Sequence, residues 1–402
     1  MTAAPRAPLI WLVAAEESGD LLGAALMRAL RVACPGVAFG GVGGRHMAGE
    51  GIDSLFPVDE LSIVGIGAIL PKLPLILRRI RETADAIVAA RPDALVIIDS
   101  PDFTHRVARR VRRRAPHIPI VNYAPPSVWA WRPWRARAMR RYVDQALGIL
   151  PFEPAAYERL RGPPCTYVGH PLAERLSDLR PSADEARRRL AASPVVLVLP
   201  GSRGSEIRRL GATFGAAVKQ VAATAGPIDW VLPTVPHVAA LVRETTQQWA
   251  VRPRIVLDPA EKAASFRTAR AALAASGTVT LELALAQVPH VAAYRVPKAE
   301  EMLFRSLAQI DTVILANLVL GEKAVPEYLQ ADCTPERLAA GLVPLLSDTP
   351  ERRHQTGAFA RLDGVMGLSG APPSQRAAEA VLGTIRGRIL HCSDLPSAAG
   401  SC

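Results

Sequence analysis

Short, continuous apolar runs alternate along the chain with longer segments whose apolar residues recur every three or four positions. PLIWLVAA, ALVIID, PVVLVLP and ARAALAAS are bounded by turn residues, as strands buried on both faces of a parallel sheet are. LLGAALMRALRVA has the spacing of an amphipathic helix. The first half predicts strands at 8–15, 37–42, 94–99, 118–123 and 145–150, with helices at 20–33, 103–114 and 152–160. A second series starts at Pro194, with strands at 194–200, 229–233, 253–257, 271–275 and 290–294, the last closing the sheet. Its helices fall at 205–223, 236–249, 260–268 and 278–287. A proline-marked segment near 172–193 separates the two series. The pattern predicts an α/β protein of two Rossmann-like, doubly wound domains facing across a cleft, with ligands at the carboxyl ends of the strands.

A length of 402 residues agrees with two cores, and 49% hydrophobic content is enough to fill them. The net charge of +11 points to an anionic partner, although Arg in excess of Lys with abundant Ala is also the mark of GC-rich coding. Five scattered cysteines lack metal-ligand spacing and suit a reducing compartment. LIWLVAA runs directly into EESGD, so it reads as a first strand and not as a signal peptide. No segment has the length of a membrane span, and a cytoplasmic location is expected.

Two strand-to-helix turns carry candidate chemistry. LPGSRGSEIRRL places Gly201 and Ser202 where a buried strand turns into a helix, whose first N–H groups and positive dipole end suit an anion. It lacks the Lys-Ser/Thr of a Walker loop. AALAASGTVTLELALA repeats the arrangement with Ser276, Gly277 and Thr278, followed one turn later by Glu282. Each turn alone is explained by helix capping. Together they suit a nucleoside diphosphate, with amides on phosphate and a carboxylate on ribose.

In IIDSPDFTHRVARR, Asp99 and Asp102 follow a buried strand, where one would cap the next helix and the other act as a general base. The six arginines from Arg106 to Arg114 read as a solvated helix face or as a surface for an anionic membrane. Trp129, Trp131 and Trp134 lie among arginines, a pattern open to core packing, base stacking or a lipid interface. The stretch 61–81 is the most unusual: apolar apart from Lys72 until an arginine cluster at its end, and broken by Pro71 and Pro74. It suits acyl chains, a bilayer interface or a second subunit, with Ile66 and Ile69 at its centre. A buried helical hairpin is the alternative.

Several segments in order, EESGDLLGAALMRAL, FPVDELSIVGI, IDSPDF, PPSVWAWR, LPFE, VGHPLAE, LPGSRGSEI, ASGTVTLE and NLVLGEKAVPEYLQ, resemble the lipid-A-disaccharide synthase family of GT-B glycosyltransferases. The resemblance implies inverting transfer, without metal or cofactor, from UDP-2,3-diacylglucosamine to the 6-hydroxyl of 2,3-diacylglucosamine 1-phosphate. It implies action at the cytoplasmic face of a Gram-negative inner membrane, peripheral on its anionic surface, and no nucleic-acid partner. Carried over by position, Arg203 would contact the UDP diphosphate, Ser276, Gly277, Thr278 and Glu282 would complete the donor site, and Asn317 would join it. Asp102 would be the base, with Asp99 beside it, and Glu16, Ser18, Gly19 and Asp20 would line the cleft.

The sequence departs from the family pattern at Gly44-Arg45-His46-Met47, at Thr104 where the family has Asn, and over Ala316-Asn317-Leu318-Val319-Leu320-Gly321-Glu322, where the proline and the arginine of the family's segment are lost. The expected division is an acceptor domain at 1–172, a donor domain at 173–350, helices at 351–388 crossing back or exchanged between subunits of a homodimer, and a disordered tail at 389–402. Rival readings are a UDP-sugar 2-epimerase or another UDP-sugar transferase on the same scaffold. From a different class, a non-catalytic membrane- or nucleic-acid-binding protein is open.

Overall fold

The computed structural model describes residues 7–61, 69–190, 193–297, 301 and 310–393. The chain forms two compact units: one from residues 1–171 with 370–402, the other from 172–369. No helix among the described residues is long and apolar enough to cross a membrane.

The first unit holds a six-stranded parallel sheet. Its strands are β1 (Leu9–Ala14), β2 (Ala38–Val42), β3 (Ala94–Ile98), β4 (Ile120–Tyr123), β5 (Gln145–Gly148) and β6 (Cys165–Tyr167), in the order β2-β1-β3-β4-β5-β6. All five residues of β3 are buried, because helices cover both faces. One face packs the helix Glu17–Ala33 through Leu26, Met27 and Leu30, together with Ala377, Val381 and Ile385 of the helix Pro373–Ser393. The other face packs Ile80, Ala84 and Ile87 with Val107 and Val111.

The second unit holds β7 (Val195–Leu199), β8 (Asp229–Pro233), β9 (Arg254–Val256), β10 (Ala269–Ala275), β11 (His290–Tyr294) and β12 (Glu327–Leu329), in the order β12-β11-β10-β7-β8-β9. Its core centres on Phe214, Trp230, Leu273 and Leu342.

In both parallel sheets the order in which strands are added reverses partway through. β1 is followed by β2 on one side and β3 on the other, and β7 has β8 on one side and β10 on the other. The carboxyl ends of β1/β3 and of β7/β10 are therefore topological switch points, where doubly wound sheets leave a crevice.

Four expectations need correction. The second sheet does not close at 290–294: β12 pairs with β11 in parallel. Pro71 and Pro74 do not break the apolar stretch, because a single helix runs from Ile69 to Ala90 with Pro74 inside it. Pro71 sits in the first turn, where an N–H has no intrahelical acceptor, and Pro74 forfeits one bond in the second. Ile66, and the side chain of Ile69, lie outside the described residues. The segment 389–393, expected to be disordered, continues the helix Pro373–Ser393. Of the helices expected as one block at 351–388, Pro350–Ala360 and Leu362–Val365 belong to the second unit and Pro373–Ser393 to the first.

Candidate active site

In the second unit a pocket of about 320 Å³ opens at the β7/β10 switch point, with Thr234 beyond β8 on its wall. Gly201, Ser202, Arg203, Ser276, Gly277, Thr278 and Glu282 all line it, so two turns separated by some seventy residues meet as the sequence pattern predicts.

The loop after β7 does not offer all its amides to a ligand. The helix Gly204–Ala225 begins at Arg203, and the Glu206 carboxylate reaches back to accept the N–H groups of Ser202 (3.1 Å) and Arg203 (3.2 Å). A carboxylate three residues into a helix satisfies such orphan donors as a matter of course. Gly201 is required here twice over. Its φ is +118°, and a Cβ would lie 2.3 Å from a Glu206 carboxylate oxygen. The Arg203 guanidinium donates to Glu206 at 3.0 Å, yet its side chain is 78% exposed. An ion pair of that kind contributes at most about 1 kcal/mol, so turning Arg203 onto a diphosphate costs little.

Amides for an anion are instead found at the second turn. The helix Thr278–Leu285 starts at the pocket wall; the Thr280 N–H is taken by the Gly277 carbonyl at 3.1 Å, and the N–H groups of Thr278 and Val279 are the ones a helix start leaves for an anion. The Ser276 hydroxyl is committed elsewhere, donating to the Val313 carbonyl at 2.9 Å.

Besides Glu206, two polar pocket residues escaped the sequence reading. Lys262 lies in the first turn of the helix Pro259–Thr268, which follows β9, and brings a cation to the pocket. Thr234, just past β8, is 8% exposed, and its hydroxyl has no partner among the described residues. Both sit beyond the carboxyl ends of strands, and that rule was the available signal.

Asn317 is not among the pocket residues. It is 1% exposed, and its amide is spent on the Val325 backbone: Nδ2 donates to the carbonyl at 2.9 Å and Oδ1 accepts the N–H at 2.8 Å. The side chain clamps the turn after the helix Leu315–Leu320 instead of contacting a ligand there.

In the first unit, Asp99 and Asp102 have different fates. Asp99 follows β3 at the switch point with φ +50°, and Ser100 follows with φ +44°. Two adjacent non-glycine residues in this region hold on the order of 1–3 kcal/mol of strain each, which such turns retain where a side chain must be aimed. Ser18 Oγ donates to Asp99 Oδ2 at 2.9 Å, joining the ends of β1 and β3, and the Ser100 N–H donates to Oδ1 at 2.7 Å. Thr104 returns its hydroxyl to the Asp99 carbonyl at 2.7 Å, so the departure at this position still braces the turn.

Asp102, by contrast, is 86% exposed and faces Arg135 at 3.4 Å. Neither carboxylate caps the helix Pro101–Arg114, whose N-cap is Ser100 without a side-chain bond.

Glu16, Ser18, Gly19 and Asp20 prove to be the start of a helix, Glu17–Ala33, with Glu16 as its N-cap residue. Gly19 lets this turn approach the sheet: a Cβ would lie 3.2 Å from the Ile98 carbonyl oxygen. Asp20 does not line an open surface. It is 3% exposed and accepts the N–H groups of Gly44 (2.8 Å), His46 (2.9 Å) and Met47 (3.0 Å). A buried carboxylate needs such donors, and here they hold the loop after β2 in place.

The three tryptophans divide. Trp129 is buried and donates to Glu153 at 3.2 Å, while Trp131 and Trp134 are exposed.

The family model described as Lipid-A-disaccharide synthetase matches residues 10–363. The lipid-A-disaccharide synthase of Bradyrhizobium diazoefficiens is 58% identical over 378 residues, which cover 94% of this chain and 96% of that protein. That of Rhodospirillum centenum is 45% identical over 386 residues, covering 95% and 96%. Among solved structures, the UDP-GlcNAc 2-epimerase from Neisseria meningitidis bound to UDP-GlcNAc superposes with a TM-score of 0.61 at 12% identity, over 94% of this chain and 99% of that one. A calicheamicin glycosyltransferase superposes at 0.55 and 17% identity, over 95% and 99%. The structural likenesses show the GT-B fold, and the sequence identities, sustained from β1 to the last helices of the second unit, show more than the fold. The chain belongs to the lipid-A-disaccharide synthase family of glycosyltransferases.

Proposed function

We propose that the protein transfers the sugar of UDP-2,3-diacylglucosamine to the 6-hydroxyl of 2,3-diacylglucosamine 1-phosphate, giving the β-1,6 disaccharide phosphate and UDP. The observation that carries this reading is the placement of the candidate groups of both units at the switch points of their sheets. Asp99 removes the proton of the acceptor hydroxyl. The hydroxyl oxygen attacks the anomeric carbon from the face opposite UDP, the bond to the diphosphate oxygen breaks, and the configuration inverts.

Arg203, Lys262 and the first turn of Thr278–Leu285 take the charge developing on UDP, and Glu282 accepts from ribose hydroxyls. A general base supplies about 10²–10⁴-fold, roughly 3–5 kcal/mol at 1.36 kcal/mol per tenfold. A charge-assisted bond from Arg203 adds about 1.5–3 kcal/mol and the helix terminus about 0.3–1. Positioning of two lipid-bearing sugars supplies the remainder.

Arg203→Ala is expected to weaken UDP binding about 10- to 100-fold by titration calorimetry. Unaltered affinity would remove Arg203 from the donor site.

The apolar stretch 61–81 holds the acyl chains and rests on the bilayer, which makes the protein peripheral at the inner face of the membrane. Leu73 and Leu77, on the described part of this stretch, are exposed large apolar residues, which supports this role. Serine at both Ile66 and Ile69 should lower turnover of lipid substrates and vesicle binding together, in flotation and turnover assays. If both stay at their original values, the stretch has another purpose.

A further inference from the structure

A second pocket, of about 240 Å³, lies wholly within the first unit, beside the helix Pro101–Arg114. Arg106 and Arg109 of that helix line it, together with Arg135 and Trp134 of the helix Trp134–Met139, and with Tyr142. Three guanidinium groups thus share one concavity, and one carboxylate, Asp102, faces them.

The charges do not cancel. Other arginines of the same helix are held by carboxylates: Arg112 by Asp144 and Arg114 by Asp85. Arg106 and Arg109 pair with no carboxylate among the described residues. Arg109 lies over the Tyr142 ring at 4.8 Å and donates to its hydroxyl at 3.2 Å. Arg135 meets Asp102 only at 3.4 Å. His105, behind Tyr142 and hydrogen-bonded to its hydroxyl at 2.9 Å, is held uncharged at neutral pH: burial first, then the charges of Arg109 and Arg135, push its pKa down to about 4. Three arginines and one aspartate leave a net +2, the complement of a phosphate monoester dianion. Forked guanidinium donors match phosphate oxygens two at a time, and the net +2 favours a dianion over a singly charged carboxylate or phosphodiester.

We infer that this pocket binds the phosphate monoester of the acceptor, so that one bound sugar has its phosphate at Arg106, Arg109 and Arg135 and its hydroxyl at Asp99. The inference rests on the transferase reading above. The pocket begins at Pro101, two residues past Asp99. From Asp102 to Arg106 and Arg109 the helix rises about 6 and about 10 Å at 1.5 Å per residue, comparable to the span of a hexose 1-phosphate. Asp102 then sets the net charge of the pocket and orients Arg135.

The test is the R106A/R109A double variant. Both residues are exposed, and a melting curve checks that the variant folds. Calorimetry with glucosamine 1-phosphate, the water-soluble headgroup, is expected to show binding to the unaltered protein and a loss of about 10- to 100-fold in the variant, with UDP affinity kept within twofold. In turnover, KM for the diacyl acceptor 1-phosphate is expected to rise by a similar factor, and the preference for it over its dephosphorylated form to fall.

If sugar-phosphate binding is lost in the variant but no diacylglucosamine acceptor reacts even with the unaltered protein, the pocket stands and the proposed reaction fails. Equal affinity of both proteins for glucosamine 1-phosphate, or no binding by either, overturns the pocket. So does a fall in affinity for phosphatidylglycerol vesicles with sugar-phosphate binding unaltered, because the arginines would then serve a bilayer headgroup.

Discussion

Asp99→Asn is expected to lower kcat about 10²- to 10⁴-fold while leaving UDP affinity within twofold. Asn keeps the size of the side chain, its Oδ1 can still accept the Ser100 N–H and its Nδ2 can donate to the Ser18 hydroxyl, but it cannot take a proton from the acceptor hydroxyl. The turn should therefore persist, and the loss should fall on the chemical step. Asp102→Asn is expected to cost kcat less than tenfold, with its effect concentrated in KM for the acceptor. The contrast separates two carboxylates that stand three positions apart. One is aimed by a strained turn and held by Ser18, and the other is 86% exposed against Arg135. Steady-state turnover and UDP calorimetry on the two variants check it. A large kcat loss at Asp102 with near-normal turnover at Asp99 would reverse the assignment and restore the one that the PDF motif suggests.

The largest expected loss of stability comes from Arg189, which no functional reading singles out. It is 7% exposed, and its guanidinium donates to four carbonyls: Arg267 from Nε at 2.7 Å, Gln287 from Nη1 at 3.1 Å, and Phe266 and Ala286 from Nη2 at 3.0 and 2.8 Å. These carbonyls lie at the carboxyl ends of Pro259–Thr268 and Thr278–Leu285, where helices leave acceptors unpaired and favour a cation. Burial pushes the guanidinium pKa down to about 10, so it remains charged at neutral pH.

Removing the guanidinium strands four carbonyls at about 1–3 kcal/mol for each that stays dry, so Arg189→Ala should cost the second unit about 3–5 kcal/mol with water reaching some of them. That is a large fraction of the roughly 5–15 kcal/mol that a domain has. Arg189→Lys should restore only part of it, because one ammonium cannot reach four divergent oxygens. Urea unfolding followed by tryptophan fluorescence measures the loss, and a cost below 1 kcal/mol would show that water replaces the guanidinium freely. Because both helices begin at or near the donor pocket, UDP affinity should weaken in the alanine variant as well.

The central strands were legible because they are buried on both faces and read as unbroken apolar runs: all of β3, and four of the five residues of β7. Of the four edge strands, β2 and β9 were read, at 37–42 and 253–257, and β6 and β12 were not. β6 is Cys-Thr-Tyr and β12 is Glu-Tyr-Leu, each three residues long and not fully buried, too short for any period to appear.

The donor turns were legible as glycine-bearing strand-to-helix junctions. That Glu206 already holds two of their amides was not, because the same carboxylate suits either a cap or a ribose. Asp99 and Asp102 look equivalent in a string of letters. They are told apart by a backbone φ and by Ser18, which lies 81 residues away along the chain. Asn317 looked functional through its motif, and its amide turns out to brace a turn. Arg106 and Arg109 read as part of a solvated helix face, since only the packing of Trp134–Met139 against that face makes them walls of a pocket.

The measurement closest to the central claim is UDP release by the purified protein in detergent micelles, with UDP-2,3-diacylglucosamine alone and with 2,3-diacylglucosamine 1-phosphate added. The proposed transfer predicts release only when both lipids are present, with one disaccharide phosphate formed for each UDP. Equal release from the donor alone would contradict it and make the protein a UDP-sugar hydrolase on this scaffold.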